Sequence, residues 1–102
     1  MSETPRELPV PGPVIEDPDA IEFVRIWAAQ GELHVSLATG VWADPANWGI
    51  LLVDLARHVA NAYSQTTAIT QDDALRRLRE GFDAEWTFAT DDPTGNVDPE
   101  GE

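Results

Sequence analysis

A chain of 102 residues has room for one domain. Its formal charge of −13 argues against direct binding to nucleic acid, where Lys and Arg must neutralise phosphates. The absence of cysteine excludes disulfides, thiolate metal sites, iron–sulfur clusters and thiol catalysis. No apolar run reaches the roughly 18 residues a membrane span needs, and MSETPRELPV has neither part of a secretory leader, so a cytoplasmic protein with no membrane contact is expected.

Residues 1–16 carry Pro5, Pro9, Pro11 and Pro13, which fix φ and remove backbone donors. They are expected to form an extended Pro-rich arm that cannot serve as an inner strand. Its PxxP-like spacing is weaker as an SH3-type ligand than as a lead-in to the domain. A single globular domain is expected over residues 17–88. Asp17-Pro18 reads as a helix start and Gly31 as its stop, with Ala20, Phe23, Val24 and Trp27 at helical spacing between them.

GELHVSLA, residues 31–38, then changes to a period of two. Leu33, Val35 and Leu37 share one face; His34, Ser36 and Ala38 share the other. After a turn at Thr39-Gly40, Asp44-Pro45 opens a second helix expected to run to about Gln65, with Trp48, Leu51, Leu52, Leu55, Val59 and Tyr63 in its apolar band. Thr70 with Asp73 has the spacing of a capping box and opens a third helix with the stripe Ala74, Leu75, Leu78, Phe82 and Trp86. Its opposite side pairs acids with arginines four residues apart, the pattern of a wet face. Residues 89–102, rich in acid, Pro and Gly, are expected to be a disordered acidic tail.

The fold class expected is therefore α+β, three helices and one main strand in the order α-β-α-α. A lone strand leaves unpaired backbone groups along both edges, which are costly to bury. Val41-Trp42, Val14-Ile15 and residues 87–90 are short, poor partners within the chain. The same strand of a second copy, antiparallel across a two-fold axis, is the better one, so a homodimer is expected. The candidate interface is Leu33, His34, Val35, Ser36, Leu37 and Trp42; Trp42 sits at a junction with no helical stripe to join and is expected to be exposed or interfacial, while Trp27, Trp48 and Trp86 are expected in the core.

No constellation carries chemistry. Asp54 and His58 form the one helical His–carboxylate pair and lie on a polar face, where a surface hydrogen bond outweighs a metal site. Ser36 shares a face with His34 but lacks an orienting third group, and the isolated glycines offer phosphate cofactors no cradle. No catalytic residue, metal or cofactor is assigned.

Leu8–Pro11, Glu32–Leu37, Trp42–Gly49, Leu51–Ala60 and Phe82–Trp86 occur in the order LPVP, ELHVSL, W-x-DPxxWG, LLxDLARHVA and FDAEW. Taken together they resemble DUF5076, a small bacterial family of unknown function. The resemblance implies an alphaproteobacterial origin and brings no activity or catalytic residue. The functional expectation is a non-enzymatic protein-interaction or assembly module, self-associating or binding a protein with a basic surface. The alternatives are a small-ligand module with an aromatic pocket between helices one and two, and an enzyme using His34 or His58 as a base.

Overall fold

A computed structural model describes residues 6–89 and the backbone of Val97–Pro99. The order is α1 (Gly12–Glu16), β1 (Val24–Ala29), β2 (Glu32–Leu37), α2 (Ala46–Thr66), α3 (Gln71–Thr87) and β3 (Val97–Pro99). The architecture is α+β with three helices, as the sequence suggests, but the first third of the chain is arranged differently. The segment read as a first helix from Asp17 to Gly31 is mostly strand. Among the described residues the only helix in that part of the chain is the short α1, inside the stretch expected to be extended.

The reason is local. Asp17 Oδ1 accepts the N–H of Asp19 at 2.9 Å, and Asp17 O accepts that of Ala20 at 3.1 Å, so Asp17-Pro18 closes a turn instead of capping a helix. Beyond the turn, Phe23, Val24, Ile26 and Trp27 are of the β-branched and aromatic types that favour strands. Gly31 is not a helix stop but half of a two-residue hairpin turn. Gln30 at φ 55° and Gly31 at φ 76° are both left-handed, as the tight turns whose twist matches antiparallel strands require.

β1 is thereby the partner that β2 needed. The register runs from Val24 opposite Leu37 to Ala29 opposite Glu32. β3 adds in parallel on the other side of β2, giving the sheet order β1-β2-β3. β3 covers that side of β2 at Val35–Leu37, so for the expected pairing of β2 with its own copy only Glu32–His34 are left on that side. The edge strands are β1 and the short β3. The remainder of the tail expected to be disordered, residues 90–96 and 100–102, lies outside the described residues.

The later helices follow their sequence signals. Asp44 Oδ1 accepts the N–H of Ala46 at 3.0 Å at the start of α2. At its other end the hydroxyls of Thr66 and Thr67 donate to the carbonyls of Ala62 and Tyr63, satisfying acceptors of the last turn. Thr70 Oγ1 accepts the N–H of Asp73 at 3.1 Å, the side-chain cap of α3. Arg76 bonds both Asp73 and Glu80, Arg77 bonds Glu80 and Arg79 bonds Asp83, so the charged side of α3 is a solvated ion-pair lattice.

Close packing between elements is limited to β1 with β2, β2 with β3 and α2 with α3; neither long helix lies against the sheet at close backbone distance. The two halves meet through aromatic rings. Phe23, just before β1, stacks on Trp42 with centroids 4.8 Å apart, and Trp42 meets Trp48 of α2 edge-on at 5.2 Å. Among the described residues only Ala38, Ala60 and Ala74 are buried apolar side chains. Ala60 and Ala74 are the buried residues of α2 and α3, the two helices that pack on each other.

Candidate functional site

Directly opposite residues of an antiparallel pair point to the same side of the sheet. The register therefore gathers Val24, Ile26 and Ala28 with Leu37, Val35 and Leu33 on one face. All six are apolar. Toward the turn this face is open, with Ile26 54% and Leu33 58% exposed. Exposure that large on a wholly apolar sheet face is unusual for a chain that works alone.

The opposite face carries Arg25, Trp27 and Ala29 from β1 with Ser36, His34 and Glu32 from β2. The His34 Nε2 proton is donated to the carbonyl of Ala29 at 3.1 Å, since a carbonyl oxygen only accepts. His34 is thus tied to the hairpin, and Ser36 lies opposite Arg25, not beside a catalytic partner. His58 is on the exposed side of α2, and no group of three potential ligands gathers among the described residues. The structure does not bring His34 and His58 into one site; they belong to separate halves of the chain.

Arg25 donates from Nε to Glu22 at 2.6 Å and from Nη1 to Glu7 at 2.7 Å. These bonds, Glu7 first, hold its pKa above the ordinary guanidinium value. The clasp brings the segment before α1 to the outer edge of β1. Between them opens a groove of about 620 Å³ whose walls include Leu8, Val10, Ile21 and Trp27. An aromatic pocket between the first two helices does not form, because the residues expected to build its first wall are in β1.

The helices carry the second open apolar surface. On α2, Trp48, Leu52, Leu55 and Val59 follow one another at three- and four-residue steps, and Leu52 is 50% exposed. On α3, Trp86, expected in the core, is 79% exposed. Its ring stacks on Phe82 one turn earlier at 5.5 Å. Trp42, expected to be exposed or interfacial, is half-buried between Phe23 and Trp48.

Of the six candidate interface residues, Leu33, Val35 and Leu37 line the apolar sheet face, His34 and Ser36 its polar reverse, and Trp42 the junction between the halves. Sequence reasoning missed β1's share of that face. The signal was present as Val24, Ile26 and Ala28 alternating with Arg25 and Trp27.

This arrangement has relatives. A family model described as "Domain of unknown function (DUF5076)" matches residues 7–90. The chain belongs to that family. The DUF5076 domain thus spans the groove, the hairpin and both long helices. It is similar to a solved structure described as that of "a putative pyruvate dehydrogenase from the photosynthetic bacterium Rhodopseudomonas palustrus CGA009", with 39% identity and a TM-score of 0.69 over 91% of this chain and 95% of that one. No curated protein matches the chain. No helix among its described residues is long and apolar enough to cross a membrane.

Proposed function

We propose that this DUF5076 domain is a non-enzymatic assembly module that acts by binding protein, with a second copy of itself as the first partner. The observation that carries this reading is the core. Among the described residues three alanines are buried, while large apolar side chains on the sheet and on both long helices remain open. An α+β domain is stable when its helices cover its sheet, and here that layer is missing from the single chain.

The pyruvate dehydrogenase name of the similar structure is not extended to this chain. Decarboxylating a 2-oxo acid calls for a water-excluding pocket and a cation or donor pair to hold the substrate carboxylate. Arg25, Arg76, Arg77 and Arg79 are each engaged by carboxylates of the chain, and the groove beside β1, where Arg6 is the other arginine of the lining, is open-sided and does not exclude water. The net charge suits a further, basic protein partner.

The groove supports a second reading, a site for a small apolar ligand. Its measurement is thermal: compounds that bind there raise the melting temperature, and no shift across a broad apolar library would remove it. The assembly reading is tested by light scattering coupled to size exclusion. A mass of two chains at micromolar concentration is expected; a mass of one chain would overturn self-assembly.

A further inference from the structure

We infer that the sheet of one copy is covered by α2 of a second copy, the stripe Trp48, Leu52, Leu55 and Val59 lying on the face formed by Val24, Ile26, Ala28, Leu33, Val35 and Leu37. The exchange is reciprocal, so each chain gives a helix and receives one across a two-fold axis. This rests on the self-assembly reading and specifies its interface.

Two observations select that occupant. The missing layer and the surface that lacks one are in the same chain but do not meet within it. α2 begins at Ala46, its first turn fixed beside the hairpin base by the Phe23–Trp42–Trp48 cluster, and neither α2 nor α3 comes alongside the sheet. Their dimensions also agree. A six-residue strand spans about 20 Å, and Trp48 to Val59 spans about 17 Å of helix at 1.5 Å per residue.

Charge is the second argument. Neither the six sheet residues nor the four helix residues include an ionisable group, in a chain of net charge −13. A basic partner would gain nothing electrostatically at such a face. A second acidic copy, in contrast, could meet it only where the surface is uncharged, which is where both surfaces are.

The lack of cysteine makes the test direct. One chain carries Ile26→Cys and another, with a mass tag, carries Leu52→Cys; the two are unfolded together, refolded and oxidised. A mixed disulfide in clear excess over both same-variant products is the expected result. Leu33→Cys with Leu55→Cys is the second pair, and all four sites are exposed enough for the single chain to accept the change. For the unsubstituted protein, isotope-filtered spectra of a labelled and unlabelled mixture are expected to show contacts between methyls of Val24 or Val35 and those of Leu52 or Leu55.

A two-chain mass together with only Ile26→Cys or only Leu52→Cys self-pairs, or with no disulfide and no inter-chain methyl contact, would overturn the exchange and leave self-assembly standing. A one-chain mass would overturn both.

Discussion

The ring of Phe23 lies stacked on that of Trp42, centroids 4.8 Å apart and planes 22° from parallel. This pair, extended edge-on to Trp48, is the principal aromatic link between sheet and helices in the single chain. Aromatic pairs in this geometry contribute about 0.5–1.5 kcal/mol beyond area burial. Trp42→Ala is therefore expected to cost about 2 kcal/mol in urea unfolding, since the ring is half-buried and leaves a partial cavity. A loss below about 0.5 kcal/mol would mean that the rings do not stack in solution.

The hairpin turn gives a second prediction. At Gly31 an added Cβ meets nothing within 4 Å, so Gly31→Ala tests the backbone alone. Its φ of 76° makes the expected cost about 1 kcal/mol. Gln30, at φ 55°, stands where asparagine or glycine is favoured, so Gln30→Asn is expected to raise the urea midpoint by the equivalent of a few tenths of a kcal/mol. Opposite signs for the two substitutions identify the turn; two losses would count against it.

These residues also show where the sequence was legible. Asp17-Pro18 and Asp44-Pro45 form the same local structure, an Asp side chain accepting the N–H two residues on. One leads toward a strand and the other into α2. The dipeptide encodes a turn, and the ten or so residues after it decide between strand and helix. At Trp48–Val59 the apolar spacing is purely helical, whereas Ala20–Trp27 satisfies both periods: Phe23, Val24 and Trp27 match a helix, Val24, Ile26 and Ala28 a strand. Pairing with β2 decides between them, and pairing is a tertiary event that a local window does not contain. α3 was legible because its cap, stripe and ion pairs are all local. The exposure of Trp86 was not, because helical spacing identifies a face without saying which molecule covers it.

Thr70 provides the third prediction. Its hydroxyl is the side-chain cap of α3, so Thr70→Ala is expected to cost about 1 kcal/mol, and Thr70→Ser to restore most of it. Hydrogen exchange should locate the loss in the first turn of α3. Equal losses for both substitutions would place the contribution in the methyl group instead.

The fourth concerns pH. Hydrogen bonding from Arg77, and then the charges of Arg77 and Arg76, hold the Glu80 carboxyl below the usual carboxylate value. A depressed folded pKa means a stabilising contribution that is complete above the unfolded Glu value and lost as pH falls through the folded one. Glu80 is exposed, so solvent screens the effect heavily. Melting temperatures of the wild type and Glu80→Gln are expected to differ slightly at neutral pH and to converge in acid. A gap that widens on acidification would reverse the sign of the interaction.

Salt dependence separates an apolar interface from an ionic one. Two chains of charge −13 repel over the Debye length, about 30 Å in 10 mM salt and about 8 Å at physiological strength. If uncharged faces meet, screening removes repulsion while leaving the attraction intact. The dissociation constant measured by sedimentation is then expected to fall several-fold between 10 and 150 mM NaCl. Interfaces held by ion pairs respond in the opposite direction, because the same screening weakens their attraction. A dissociation constant that rises with salt would therefore place charged contacts between the copies, away from the apolar faces of β1, β2 and α2.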